Sequence, residues 1–313
     1  MGSTSSAAAR PIPSGTITFL FSDIEGSTQR WERHREAMQT ALRRHDDLIR
    51  AAIVAHGGYV FKTVGDAFCA AFSTAPDAIH AALNSQRTLS HEDFSATEGL
   101  VVRMAVHAGH ADERDGDYFG PTVNRVARLL SAGNGGQILL SGAAADLARS
   151  DLPAQASLRD LGSHRLKDLA YPEHVFQLAA EGLRDIFPPL RSLDALPNNL
   201  PIQLTSFLGR DADIVEVERL LERSRLVMLQ GSGGVGKTRL ALQVGARLLD
   251  HFPDGVWFVE LAPLSDPRLV ASTVAAIFNL SEQNNRPIID TLIDALKSKT
   301  LLLVLDNCEH LVA

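Results

Sequence analysis

Apolar and polar positions fall into blocks whose period changes along the chain. Thr16-Ile17-Thr18-Phe19-Leu20-Phe21 is a β-branched and aromatic run that predicts a buried strand, and Ser22-Asp23-Ile24-Glu25-Gly26-Ser27 breaks it. From about Thr28 to Ala55, Trp31, Met38, Leu42, Ile49 and Ile53 mark a long helix. Its interleaved arginines and acids read as a solvated face, and Gly57-Gly58 ends it. Two short apolar runs, Tyr59–Thr63 and Ala67–Phe72, flank Val64-Gly65-Asp66 and predict a β-hairpin. A helix over about Pro76–Leu89 and a strand at Val101–His107 come next. Gly120-Pro121 then opens a helix that passes Asn124 and Arg128 and stops at Gly133–Gly136. Further strands are expected at Gln137–Leu140 and Val175–Leu178. Strand, helix, hairpin, helix, strand is the order of an α+β layout, with helices laid on a mainly antiparallel sheet.

The grammar changes after a Pro-rich, turn-rich stretch, Phe187-Pro188-Pro189 through Pro197-Asn198-Asn199-Leu200-Pro201, which marks a linker. Beyond it strands and helices alternate: Leu226–Gln230, a helix from Lys237, Val256–Leu261, helices near Leu269–Phe278 and Ile289–Leu296, then Leu301–Leu305. Alternation of this kind predicts a parallel sheet with crossover helices. The expected organisation is a disordered tail over 1–15, a first domain over 16–183, a linker over 184–203, and part of an α/β domain over 204–313.

Composition narrows the function classes. The 313 residues carry 30 basic and 37 acidic side chains, a net charge of −7, which argues against a protein that coats nucleic acid. Cys69 and Cys308 are the only cysteines, so no disulfide framework is expected and a reducing, cytoplasmic compartment fits. The longest apolar run, near Leu301–Leu305, is too short to span a bilayer. Met1-Gly2 with Ser6 matches a short myristoylation pattern, but the small polar tail reads more simply as disordered.

Asp23 lies just after the first strand and Asp66 in the hairpin turn. Two carboxylates at the ends of neighbouring strands suit hard divalent cations that hold a polyphosphate; turn-forming Asp is the competing reading of the two residues alone. Lys62 lies four residues before Asp66. In Gly116-Asp117-Tyr118-Phe119-Gly120-Pro121-Thr122-Val123-Asn124-Arg125-Val126-Ala127-Arg128, Asn124 and Arg128 are at i, i+4 and share a helix face. An uncharged donor and a guanidinium on one face suit charge stabilisation on a transferring phosphoryl group.

Residues 15–183 closely resemble the class III nucleotidyl cyclases. The resemblance rests on Phe21-Ser22-Asp23-Ile24-Glu25-Gly26-Ser27-Thr28, Lys62-Thr63-Val64-Gly65-Asp66-Ala67 and the Asp117–Arg128 run. It implies a ferredoxin-like domain in which Asp23, Ile24 and Asp66 hold two Mg²⁺ or Mn²⁺ ions. It further implies that Lys62 and Asp117 read the base, Asn124 orients the ribose and Arg128 stabilises the transition state. It also implies a head-to-tail homodimer, with Asp23 and Asp66 of one chain facing the other four residues of its partner. The base readers have a logic of their own. Adenine offers an acceptor at N1 and a donor at its amino group, whereas lysine only donates and aspartate only accepts. Guanine presents the opposite pattern and would leave both unpaired, and an unpaired buried polar group costs about 1–3 kcal/mol. ATP is therefore the expected substrate; a surface ion pair is the competing reading of the two side chains.

Gly231-Ser232-Gly233-Gly234-Val235-Gly236-Lys237-Thr238 fits G-x-x-x-x-G-K-S/T, between an apolar run and a helical segment. Gly231, Gly233, Gly234 and Gly236 would let backbone N–H groups cradle phosphates, Lys237 would reach the β- and γ-phosphates, and Thr238 would contact magnesium. Leu301–Leu305 supplies a strand ending in the acid Asp306. This half resembles the STAND-type signal-transduction ATPases, supported by Leu204-Thr205-Ser206-Phe207-Leu208-Gly209-Arg210. Asp306 lies seven residues from the end, so only the front part of that fold is expected, with no nucleic-acid-binding segment. Two functions are compatible with these features: an adenylyl cyclase in intracellular signalling, or a signalling or transcription-regulator fragment in which the cyclase-like domain is regulatory and the ATPase half is the switch.

Overall fold

A computed structural model describes residues 12–169, 171–201, 209–282 and 286–311; most of the expected tail and Leu204–Leu208 of the second motif lie outside them. The chain forms two compact units, one of residues 1–166 with 172–191 and one of 167–171 with 192–313.

The first unit contains β1 (Thr16–Ile24), α1 (Ser27–Arg33), α2 (Arg35–Ala55), β2 (Tyr59–Val64), β3 (Ala67–Phe72), α3 (Ala75–Ser90), β4 (Val102–His110), β5 (Asp112–Arg114), β6 (Asp117–Phe119), α4 (Pro121–Ala132), β7 (Ile138–Ser141), α5 (Gly142–Ala148), β8 (Ala156–His164) and β9 (Glu173–Ala180). Among the described residues, seven strands form one sheet in the order β2-β3-β1-β4-β7-β9-β8, and its only parallel pair is β4 with β7. The α+β layout is therefore present. Two local expectations change. β1 runs on through Asp23 to Ile24 instead of stopping at Phe21. The long helix is two helices, because His34 leaves helical geometry at φ −132°, ψ 48°.

Strand period 2 divides the sheet into two chemically different faces. Leu20 and Ile24 of β1, Phe68, Ala70 and Phe72 of β3, and Val102, Met104 and Val106 of β4 point to one side, where they join α2, α3 and α5 in a continuous core. Phe19, Phe21 and Asp23 point to the other, in register with Ala71, Cys69, His107 and Arg103. Helix α4 packs against β1, β4 and β7 on that second side, burying Val126, Leu129 and Leu130. One face thus carries the larger core, and the other carries α4, the buried Phe19 and Phe21 and the polar residues.

His107 is buried beneath α4, where its Nδ1 pairs with Ser141 Oγ at 2.7 Å. Burial, helped by the Arg125 charge, pushes its imidazole down to about 4. The unfolded chain takes up a proton near pH 6.5 while the folded chain refuses it, so stability is complete above about pH 6.5 and drains away down to about pH 4. Denaturant titration across that window is expected to show a loss of about 3 kcal/mol that His107→Gln removes.

The second unit holds α6 (Asp211–Arg223), α7 (Lys237–Arg247), β10 (Val256–Glu260), α8 (Val270–Ile277), α9 (Ile288–Leu296) and β11 (Leu302–Asp306). β10 and β11 pair in parallel, Val256 with Leu302 through Glu260 with Asp306. The expected strand Leu226–Gln230 is not formed. Val227 and Leu229 pack on Ile214, Val217, Leu240 and Val244 while Leu226 and Met228 are exposed, so the residues alternate as in a strand. Among the described residues, however, no ladder partner lies beside them, and alternation without a neighbour does not make a sheet. Part of the expected linker also packs here: Leu193, Leu196 and Leu200 join a small core with Leu242, Leu249 and Val256. The Asn199 side chain accepts from Phe258 N at 2.6 Å and donates to its carbonyl at 2.8 Å, in the manner of a neighbouring strand.

Candidate active site

Antiparallel pairing places the C-terminal end of β1 beside the β2–β3 turn, which brings Asp66 to Asp23. The Asp66 carboxylate accepts from the Ile24 backbone N–H at 3.0 Å, joining all three residues expected to hold metal. Arg103, directly opposite Asp23 on β4, donates through Nε at 3.0 Å and Nη2 at 2.5 Å, both to the same oxygen, Oδ2. Burial pushes the Asp23 carboxyl above its usual range; Arg103 pulls it down and the Asp66 charge adds to the rise. Like-charged carboxylates crowded in a half-buried place, with hard oxygen donors, fit a divalent cation. Sequence patterning does not single out Arg103 for this site. Its signal there is a lone guanidinium inside the apolar run Val102–Ala108, and only the strand register shows that its partner is Asp23.

Lys62 and Asp117 meet, with Nζ donating to Oδ2 at 2.8 Å. The lysine holds the Asp117 carboxyl below the usual range, so it is ionised and accepts only; Asp117 in turn raises the lysine. Lys62 reaches this place through an irregularity. Between Val60 and Lys62 the β2–β3 register shifts, so Lys62 pairs with Cys69, whose other neighbour is Phe21. In an unbroken strand Lys62 would share the core-side face of Val60; the bulge turns it to the face of Asp23 and α4. Cys69 itself is a thiol pushed up to about 11 by burial, a packing group and not a nucleophile.

Asn124 and Arg128 project from one side of α4, the helix laid on this same sheet face, with Asn124 exposed and Arg128 half-buried. Their neighbour Arg125 is engaged elsewhere, in a 2.6 Å ion pair with the buried Glu173.

In the second unit the phosphate-loop residues form a turn that closes on its own lysine: Lys237 Nζ donates to the carbonyls of Gly231 at 2.9 Å and Ser232 at 3.2 Å. Gly234 at φ +77° and Gly236 at φ +87° take left-handed conformations that a side chain would strain, so α7 can start directly at Lys237. Thr238 Oγ1 lies 2.8 and 2.9 Å from the two carboxylate oxygens of Asp306 at the end of β11, which unites the two parts of the motif.

Comparison with known proteins places both parts of the chain in known families. Residues 10–176 match the family described as the adenylate and guanylate cyclase catalytic domain, and residues 220–313 match an AAA domain family. An uncharacterized protein of Mycobacterium tuberculosis is 43% identical over 209 residues, 66% of this chain and 71% of that one. The adenylate cyclase of Podospora anserina is 32% identical over 228 residues, 55% of this chain but 11% of its own length. A structure of Trypanosoma brucei adenylate cyclases in their monomeric state superposes with a TM-score of 0.51 at 28% identity, over 57% of this chain and 95% of the other. The chain belongs to the adenylate and guanylate cyclase catalytic-domain family, joined to a P-loop-type AAA domain. Among the described residues, no helix is long and apolar enough to cross a membrane.

Proposed function

We propose that the first unit is an adenylyl cyclase that converts ATP to 3′,5′-cyclic AMP and pyrophosphate in a signalling role. The observation that carries this reading is the Lys62–Asp117 pair, on the same sheet face as the Asp23–Asp66 carboxylates. An exposed ion pair adds little stability, so stability gives no reason for this placement. A donor-only and an acceptor-only group held side by side complement the N1 and amino group of adenine.

The ribose 3′-oxygen forms the new bond to the α-phosphorus as the bond from that phosphorus to the pyrophosphate oxygen breaks. Asp23, the Ile24 carbonyl and Asp66 would hold two Mg²⁺ or Mn²⁺ ions, which when bound supply Lewis acidity toward the hydroxyl and phosphate oxygens. Arg103 keeps one oxygen of Asp23 occupied and so fixes the direction of the other. Lys62 and Asp117 orient the purine, Asn124 orients the ribose and Arg128 opposes charge building on the phosphoryl oxygens. No described side chain is placed as a general base, so the 3′-proton leaves to water or to the substrate. The site is shared in a head-to-tail homodimer. Incubation with ATP and with GTP, each with Mn²⁺ or Mg²⁺, is expected to yield cyclic AMP from ATP and little cyclic GMP, and Asp66→Ala is expected to abolish both. A folded dimer that makes neither product would overturn the reading and leave the first unit a regulatory module.

The second unit is read as a nucleotide-dependent switch, on the strength of the Thr238–Asp306 contact at the start of α7. Equilibrium dialysis is expected to find two classes of ATP site in the whole chain. Lys237→Ala is expected to leave only one.

A further inference from the structure

Four contacts join the β2 edge strand to the small β5–β6 hairpin, one of them the Lys62 ammonium over the Phe119 ring, 6.0 Å from its centroid. Tyr59 Oη donates to the Gly116 carbonyl at 3.2 Å. The Phe61 and Tyr118 rings meet edge to face, with centroids 5.0 Å apart and planes at 81°. Lys62 donates to Asp117. Gly116 is required for the Tyr59 contact, since it sits at φ +81° and an added Cβ would lie 2.9 Å from Tyr59 Oη.

The hairpin consists of two three-residue strands paired, among the described residues, only with each other. A ribbon of that size does not hold its own shape in water, so its position is set by what it docks on. Phe61 is the centre of that dock. It lies 5.8 Å from Phe19, 6.1 Å from Phe21 and 5.0 Å from Tyr118, and Tyr118 is buried against Phe19 at 5.3 Å. Phe61 is also the residue at which the β2 register slips, and the slip is what turns Lys62 to this face. One side chain therefore sits beside the lysine in sequence and against the neighbour of the aspartate in space.

We propose that Phe61, assisted by Tyr59, is a positioning residue that sets purine selectivity by fixing the spacing between Lys62 and Asp117. The inference rests on the cyclase reading above. Two hydrogen bonds read the purine edge, and each weakens steeply outside about 2.7–3.2 Å. The groups assigned to ribose, phosphate and metal lie on β1, the β2–β3 turn and α4, and they meet parts that ATP and GTP share. Loosening the hairpin thus costs the preferred base more than the rejected one, and the two rates converge.

The test compares the full chain with Phe61→Leu, Phe61→Tyr and Tyr59→Phe, all in a Lys237→Ala background that silences the second nucleotide site, measuring kcat/KM for ATP and GTP and the binding of mant-labelled ATP and GTP. Phe61→Leu is expected to lower the ATP-to-GTP ratio about tenfold, through KM for ATP, and Tyr59→Phe to lower it about threefold. Phe61→Tyr keeps the ring and is expected to keep the ratio. Equal losses for both nucleotides, or an unchanged ratio in Phe61→Leu, would overturn the proposal. If circular dichroism shows Phe61→Leu unfolded, an unchanged ratio in Tyr59→Phe overturns it instead. A parent chain that makes no cyclic nucleotide defeats the cyclase reading alone, and the mant-nucleotide preferences then decide the spacing argument in the same way.

Discussion

Asp23→Ala and Arg128→Ala are each expected to lose at least about a thousandfold in cyclase activity, and an equimolar mixture of the two is expected to recover about a quarter of the parent rate. The quarter follows from the proposed shared site. Half of the dimers in a random mixture pair one variant with the other. In such a dimer, one site draws an intact Asp23 from the Arg128→Ala chain and an intact Arg128 from the Asp23→Ala chain. The opposite site carries both lesions. Asp23 belongs to β1 and Arg128 to α4, so each substitution leaves the other group's element in place. Dimer formation can be followed by size-exclusion chromatography, subunit exchange by native mass spectrometry, and product formation measured in the same samples. A mixture that dimerises and stays inactive would show that each chain completes its own site.

Reversing the charges of the proposed base readers, Lys62 and Asp117, is expected to reverse the proposed substrate preference. Lys62→Glu alone sets two carboxylates against each other, and activity on both nucleotides should fall by about a hundredfold. Adding Asp117→Lys restores an ion pair with donor and acceptor exchanged, which complements the N1–H donor and O6 acceptor of guanine. The double variant is therefore expected to prefer GTP, with the ATP-to-GTP ratio moved by about 10²- to 10⁴-fold overall. Cyclic AMP and cyclic GMP formed by the parent, single and double variants measure the effect. The pair is well suited to the exchange because Lys62 is half-exposed and the backbone support of Asp117 comes from the Tyr118 N–H at 2.8 Å, a single donor. A double variant that still prefers ATP would place discrimination elsewhere on this face.

The parts of the protein legible in its sequence are those that one segment settles by itself. Thr16–Phe21 forms a strand because β-branched and aromatic residues leave it few alternatives. Asn124 and Arg128 share a side of α4 because helical period places i and i+4 together. The phosphate loop is legible because glycines with positive φ must stand directly before Lys237. Weak patterning hides other elements: β8 is a half-exposed edge strand with little apolar alternation, and α5 is a short alanine-rich helix. Leu226–Gln230 shows the opposite error, since good alternation does not produce a strand where no neighbour lies alongside it.

Only the tertiary structure decided how separate segments meet. That Arg103 faces Asp23 comes from the β1–β4 register, a relation between residues eighty positions apart that no local period encodes. That Lys62 faces α4 and not the core comes from a single extra residue at the bulge, which reverses the face of the residues after it. The sequence alone determined which residue types are available for the chemistry and on which elements they ride. Strand pairing decided which of them stand together, because register is set by the packing of both sheet faces at once and by no stretch of chain alone.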